Sequence, residues 1–364
     1  MAALFDDFTS LVVSRRPLID VRAPVEFAKG AFPGAVNLPL MTDEERRLVG
    51  IRYKERGNAE AVKLGHELVC GETKARRVAA WCRFVESRPE ALLYCFRGGQ
   101  RSQIAQRWMA EAGCEIPRLK GGYKALRRFL IDETAASVER FAPLVLGGRT
   151  GSGKTALLKS FPNAIDLEGL ANHRGSSFGR RITPQPTQID FENALAYELI
   201  GSVHRGFGTL LFEDEGRNVG RLYLPDPLVR RLDAAPLVIL ETPMRERVRI
   251  TWQEYVEEAQ RAYAESGYRE PLREWKEAVA SAMARIERRL GGYRYAIVRN
   301  MLDEAYEKQR ESGDMQAHMG WVEYLLREYY DPMYDYQIEK RGERVVFRGD
   351  KAAVSEYLAE AAGS

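Results

Sequence analysis

A chain of 364 residues is long enough for two or three domains at roughly 100–200 residues each. Hydrophobic residues at 45% and charged residues at 29% supply material for real cores and exclude wholesale disorder. With Lys+Arg 55 against Asp+Glu 52 the net charge is +3, so a nucleic-acid partner would have to meet a local basic patch rather than bulk charge.

In chain order, PLIDV (17–21), AVNLP (35–39) and ALLYC (91–95) read as strands. Residues 102–113 carry Ile104, Ala105, Trp108 and Met109 at helical spacing, and 131–141 reads as a helix suited to a connector. A second run of strands follows at PLVLGG (143–148), AIDLE (164–168), TLLFED (209–214) and PLVILET (236–242). From Trp252 to Tyr330 the pattern is helical, and Leu272, Trp275, Val279, Met283, Ile286 and Leu290 form one apolar stripe for core packing. Segments 336–339 and 344–348 flank Arg341-Gly342 as a hairpin would. Strands alternating with helices predict parallel sheets. We therefore expect an α/β chain with an N-terminal parallel-sheet domain over 1–133 and a second α/β domain over 134–364 that ends in a helical C-terminal region. No apolar stretch approaches the ~20 residues that span a bilayer. The start MAALFDDFTS lacks a basic, then apolar, leader. A cytoplasmic location is expected.

Of the four cysteines, Cys70, Cys82 and Cys114 lack reactive surroundings and none has metal-like spacing, so no metal site is expected. Cys95 differs. It ends a strand and opens CFRGGQRS (95–102) just before a helix. Gly98 and Gly99 let the backbone curl, Arg97 and Arg101 add positive charge, and Phe96 and Gln100 complete the loop. Such a nest favours a thiolate and an oxyanion. A buried structural cysteine is the plainer reading, against which the glycines, arginines and helix start all count. With DVRAPVEF (20–27), GAFPGAVNLP (30–39) and LKGGYKALRRFL (119–130), this half resembles the rhodanese family of sulfurtransferases. That resemblance implies a persulfide or perselenide on Cys95. Two features depart from it: Ala31 stands where a His is frequent, and five residues separate Cys95 from Arg101. The same count matches the Cys-x5-Arg loop of dual-specificity phosphatases. From the loop alone, sulfur transfer and phosphate-ester hydrolysis remain open.

GRTGSGKT (148–155) satisfies G-x-x-x-x-G-K-[ST], follows a strand and precedes a helix, as a P-loop NTPase-like domain requires. Gly148, Arg149, Thr150, Gly151, Ser152 and Gly153 would bring backbone amides to phosphate oxygens, Lys154 a point charge, and Thr155 a hydroxyl for Mg²⁺. At a second strand end Asp214, within FEDE, would orient Mg²⁺; a solvated acidic loop is the alternative. DLEGLANHRGSSFGR (166–180) gathers Glu168, His173, Arg174, Ser176 and Ser177, with Arg180 and Arg181 beside them, as an anion site.

The motif order, continued by FEDEGRNVG (212–220) with Arg217 and by YYDPMYDYQ (329–337), resembles the tRNA 2-selenouridine synthase family over nearly the whole chain. The resemblance implies a transferase of tRNA modification. It would convert wobble 2-thiouridine to 2-selenouridine through an S-geranyl intermediate, with geranyl diphosphate and selenophosphate as substrates. It implies no tightly bound cofactor and no membrane, with Mg²⁺ admissible. A P-loop without hydrolytic machinery suits the diphosphate, and the aromatic-rich C-terminal helices would supply an apolar slot. Residues 94–128 hold eight basic against two acidic groups, a local +6 suited to a tRNA backbone, with Tyr123 or Trp321 available for base stacking. The alternative is a rhodanese-fold phosphatase or sulfurtransferase fused to an NTP-dependent kinase-like domain.

Overall fold

In the computed structural model, which describes residues 3–363, the chain builds two separate parallel sheets. The first contains β1 (Leu4–Phe5), β2 (Leu18–Asp20), β3 (Ala35–Asn37), β4 (Leu92–Tyr94) and β5 (Arg118–Leu119) in the order β1-β5-β4-β2-β3. All four pairings are parallel. Successive side chains of a strand point to opposite faces, and this sorts the core. Ile19, Val21, Leu93 and Cys95 join Trp81 of helix Gly71–Ser87 and Trp108 of helix Gln100–Glu111. Leu18, Leu92 and Tyr94 join Leu126 and Leu130 of helix Gly122–Val138, together with Tyr197 and Ile200.

The second sheet is built from β6 (Ala142–Gly147), β7 (Ala164–Ile165) and β8 (Thr209–Glu213), followed by a small antiparallel pair, β9 (Asn218–Val219) and β10 (Leu222–Tyr223). β11 (Leu237–Leu240) and β12 (Val345–Gly349) complete it in the order β12-β11-β6-β8-β7, again all parallel. Between β11 and β12 the chain forms a helical region from Met244 to Lys340. Its core is aromatic: Trp275, Trp321, Tyr329 and Tyr330 pack with Met283, Ile286, Leu290 and Leu302.

The expected α/β architecture is the observed one, and three details differ from the sequence reading. Residues 336–339 are helical, within Asp331–Lys340, and β12 pairs parallel with β11 rather than forming a hairpin. The connector expected at 131–141 is the end of one continuous helix, Gly122–Val138. The compact units are 1–137 with 187–205, and 138–186 with 206–364. Helix Gln188–His204 thus packs with the first unit, although it lies beyond the expected boundary at 133/134. Arg127 pairs with Glu192 and donates to Asn193 Oδ1 at 2.8 Å, and Asn193 in turn donates to the Ala31 carbonyl at 2.6 Å. Long-range pairs of this kind leave no local pattern. Among the described residues no helix is long and apolar enough to cross a membrane.

The DVR segment closing β2 holds a buried ion pair. Arg22 is 2% exposed, grips both carboxylate oxygens of Asp20 at 2.6–3.0 Å and donates to the Gly30 carbonyl at 2.9 Å. Its guanidinium also lies 4.1 Å from the Tyr123 ring centroid. Removing one partner strands a buried charge, which costs about 3–5 kcal/mol. Arg22→Met should therefore destabilise the first unit by about that amount, read as a shifted midpoint in urea unfolding. A shift below about 1 kcal/mol would mean that Asp20 finds other partners.

Candidate functional site

Cys95 follows β4 and lies four residues before Gly99, the N-cap of helix Gln100–Glu111. The residue is 2% exposed, and Sγ lies 3.2 Å from the buried Ser102 hydroxyl, which donates to the Gly99 carbonyl at 3.0 Å. The loop is fixed through its carbonyls. Tyr123 and Lys124 donate backbone N–H groups to Cys95 and Phe96 at 2.9 and 3.0 Å, so the first turn of helix Gly122–Val138 finds its partners in the Cys95 loop. That approach demands glycine at 122, where φ is +61° and an added Cβ would overlap the Cys95 carbonyl oxygen and the Gly98 nitrogen.

Arg101 donates to both Glu26 carboxylate oxygens at 2.5 and 3.2 Å, and Arg46 meets the same carboxylate at 3.0 Å. Burial opposes the Glu26 charge, but Arg101 and then Arg46 outweigh it and hold the carboxyl below its usual range. Arg97 and Gln100 are exposed, Gly98 is buried, and Phe96 stacks on Tyr123 at 5.9 Å and 14°. Cys95, Arg97, Gly99, Gln100 and Arg101 all face a cavity of about 1160 Å³, part of whose wall is helix Asp43–Leu68.

In the second unit β6 runs into Gly148–Thr155, and helix Lys154–Leu158 starts at its Gly153 N-cap. Lys154 Nζ donates to the Gly148 carbonyl at 3.0 Å and lies 5.9 Å from the Tyr334 ring centroid. The loop is gripped from the helical region. Arg247, 2% exposed, donates to the Thr150 carbonyl at 2.9 Å and forms a bidentate pair with Asp331 at 2.5 and 3.0 Å. Arg149 pairs with Asp335 at 2.5–2.8 Å, and Thr242 donates to the Ser152 carbonyl at 3.0 Å. Gly151, at φ +76°, sits where a Cβ would overlap Thr251 Oγ1. These contacts explain the YYDPMYDYQ segment: Asp331, Tyr334 and Asp335 are partners of P-loop residues or of the arginine that holds the loop.

Thr155 Oγ1 lies 3.3 Å from Glu168 Oε2, and Glu168, Glu213 and Glu215 bring carboxylate oxygens within 4.8 Å of one another. Burial, then the Glu168 charge, pushes Glu213 up to about 7, and Glu215 is raised by burial and by both other carboxylates. For Lys154, burial opposes the charge, but Tyr334, Glu213, Glu215 and Glu168 outweigh it and raise the ammonium above its ordinary value. Carboxylates held together against repulsion, beside a hydroxyl, are a donor set for a hard divalent cation such as Mg²⁺.

Asp214, the expected Mg²⁺ carboxylate, instead pairs with Arg341 at 2.5 Å. Asp214 and Glu215 lie beyond the end of β8 at Glu213, where no strand periodicity shows which acid turns to Glu168. Arg217 pairs with Asp226, both exposed. In the 166–180 loop, Glu168 accepts the Gly175 N–H, Ser176 shares a 2.7 Å hydrogen bond with Tyr255, and the Ser177 carbonyl accepts from Arg285 at 2.9 Å. Arg174 lies over the Tyr255 ring at 5.3 Å and pairs with Glu258 at 3.4 Å. His173 is buried, and its pKa is lowered by burial and then by Arg180, Arg285 and Arg181. Arg174 and Ser176 thus bind side chains of the helical region rather than one another, and Glu168 links the loop to Thr155. Arg247, Glu213, Glu215 and Tyr334 were not among the expected site residues.

The basic run 94–128 is largely committed to ion pairs: Arg101 to Glu26, Arg107 to Glu111, Lys120 to Asp6, Arg127 to Glu192 and Arg128 to Asp132. Tyr123 is packed between Phe96 and Phe32, and Trp321 is buried, donating to His318 Nδ1 at 2.9 Å. Neither ring offers a face for a base.

The carboxylate cluster makes stability depend on pH. The Glu213 carboxyl has a folded value of about 7 against an ordinary 4.5, so its contribution to stability is complete below about 4.5 and is lost as pH rises through about 7. The melting temperature of the metal-free protein should fall across that window, and Glu213→Gln should flatten the fall. Mg²⁺ should raise the melting temperature more at pH 8 than at pH 6, because it binds the ionised form. An equal effect at both values would place the cation elsewhere.

Comparison with known proteins agrees with both halves of the chain. A Rhodanese-like domain model matches residues 5–128, and a tRNA 2-selenouridine synthase AAA domain model matches residues 141–364. A protein of Sulfurovum sp. (strain NBC37-1) named tRNA 2-selenouridine synthase is 61% identical over 354 residues, covering 97% of each chain. Proteins of the same name from Marinobacter nauticus and Hydrogenovibrio crunogenus are 50% and 51% identical, each alignment covering at least 96% of either chain. By these matches along nearly its whole length, the chain belongs to the tRNA 2-selenouridine synthase family.

Proposed function

We propose that this chain converts wobble 2-thiouridine of tRNA to 2-selenouridine through an S-geranyl intermediate, using geranyl diphosphate and selenophosphate. The observation that carries the reading is the pairing, in one chain of this family, of a cysteine anion loop with a P-loop whose lysine stays cationic among buried carboxylates. In the first step the thione sulfur bonds to C1 of geranyl diphosphate, the C1–O bond breaks and diphosphate leaves as N3 loses its proton. Lys154 and the loop amides would hold the departing diphosphate, with Mg²⁺ on Thr155 and the Glu168 cluster. In the second step selenium bonds to C2 and the C2–S bond breaks, releasing geranyl thiol.

Selenium in selenophosphate is already fully reduced, so loading a Cys–S–Se unit would need an oxidant. Attack of the Cys95 thiolate on phosphorus needs none: the S–P bond forms, the Se–P bond breaks, and selenide is released as the nucleophile for C2. Water then frees the cysteine as phosphate leaves. The Ser102 hydroxyl, 3.2 Å from Sγ, is in reach of the thiolate that this last step regenerates. The carboxylate cluster equally suits a Mg²⁺–nucleotide, which is what the kinase-like alternative requires.

Cys95→Ser should abolish selenium incorporation and leave geranylation and the melting temperature intact, read by mass spectrometry of nucleosides from treated tRNA. Normal selenouridine from that variant would overturn the role of Cys95. Lys154→Ala should slow geranylation about 10²–10³-fold, the usual cost of removing one charge-stabilising group. Turnover of ATP, with no geranyl transfer by the wild type, would favour the kinase-like reading. For the RNA, Arg97 and Lys124 are exposed side chains of the Cys95 unit. Reversing both charges should weaken tRNA binding and flatten its salt dependence by about 0.7–0.9 for each phosphate that is no longer neutralised. An unchanged slope would move the footprint off this surface.

A further inference from the structure

The cavity beside Cys95 is larger than the loop chemistry alone requires. At about 1160 Å³ it is the size of a site for an organic ligand, whereas selenophosphate is a single tetrahedral anion. Much of the wall is apolar, from Met41, Val49, Val62, Val69, Ile104 and Trp108. Ile51 and Tyr53 belong to the same wall and stay 40% and 57% exposed, apolar surface that folding has left in water. Beside Glu26 and its partners Arg46 and Arg101, Lys54 and Arg97 add positive charge to the lining, which matches a ligand that is apolar at one part and anionic at another. The slot expected among the C-terminal aromatics is not formed by those residues: Trp275, Trp321, Tyr329 and Tyr330 are at most 7% exposed and fill their own core.

We infer that this cavity receives the wobble nucleoside together with its S-prenyl chain, the chain lying on the apolar wall and C2 turned to the Cys95 loop. The inference rests on the proposed two-step reaction and assigns the prenyl site of its second step to the Cys95 unit. Selenide bonds to C2 there, and the electron pair of the C2–S bond leaves with sulfur. The sulfur takes a proton and departs as the prenyl thiol, with no redox partner. Holding the chain on the wall fixes the direction in which the leaving sulfur departs. The part of the wall formed by helix Asp43–Leu68 is jointed, because Gly57 interrupts the helix at φ 79° and ψ −176°. Val49 comes from one side of this break and Val62 from the other.

The test uses the full chain and three anticodon stem-loop RNAs carrying 2-thiouridine, S-methyl-2-thiouridine or S-geranyl-2-thiouridine. The wild type should bind the geranyl RNA at least tenfold more tightly than the S-methyl RNA. Val62→Trp and Ile104→Trp, which fill the wall, should remove that difference while leaving S-methyl affinity and melting temperature unchanged. An RNA with a photoreactive group at the end of the prenyl chain needs no variant. Its cross-links should map to residues 41–69 or 104–108, and cross-links within 244–340 would overturn the assignment, as would equal wild-type affinity for the geranyl and S-methyl RNAs. The underlying reaction is judged separately. If the wild type fails to turn geranyl RNA and selenophosphate into selenouridine, the two-step chemistry fails, whatever the cross-links show. If conversion proceeds and the geranyl preference is absent, only the cavity assignment fails.

Discussion

The Cys95 loop depends on two backbone segments meeting without side chains between them. Helix Gly122–Val138 begins against the loop, and its first N–H groups find partners in the carbonyls of Cys95 and Phe96. Helix starts leave N–H groups that must bond somewhere, and here the cysteine loop satisfies them. With those carbonyls occupied, the loop cannot relax into an ordinary turn. Ser102 and Gly99 then complete the thiol's surroundings from the following helix. Burial in apolar surroundings tends to make a thiol inert, whereas Cys95, though buried, also lines the cavity.

The second unit solves a related problem with charge rather than close backbone contact. A P-loop is rich in glycine and costs conformational entropy to order. Arg247 and Asp331 form a largely buried, bidentate pair that also holds the Thr150 carbonyl, and Arg149 with Asp335 ties down the neighbouring residue. The helical region between β11 and β12 therefore does more than cover the sheet edge. It supplies the anchors of the phosphate loop, and its aromatic residues form the core that keeps those anchors in register.

Electrostatics separates the two units. In the second, three carboxylates are pressed together beside Thr155 and Lys154, and burial with their mutual repulsion raises the Glu213 and Glu215 carboxyls above their ordinary range. In the first, arginines predominate near the thiol, yet Glu26 sits between Arg101 and Arg46 and fixes their positions. Most of the apparent basic surplus of residues 94–128 is consumed in such pairs. A run of like charge in a sequence therefore overstates the charge offered to a partner, since long side chains find carboxylates far away along the chain.

The sequence by itself determined strands β2–β4, β6–β8, β11 and β12, the parallel-sheet class, the Cys95 loop and the P-loop, because each is written in local pattern, whereas the two-residue strands β1, β5, β9 and β10 carry no such pattern. Apolar runs, glycine spacing and a strand-to-helix context are properties of neighbouring residues. It also determined the family, through the order of motifs. Only the tertiary structure decided which acids meet: Glu213 and Glu215 join Glu168, while Asp214 turns to Arg341. It decided that Tyr336 lies in a helix, and that helix Gln188–His204 packs with the first unit through Arg127 and Asn193. The apolar cavity was equally invisible, since its wall combines residues near 41, 50, 62 and 104 that no short window unites. The reason is the same in each case. Pairings across tens or hundreds of residues are set by how whole elements pack, and a linear pattern records only what each element is.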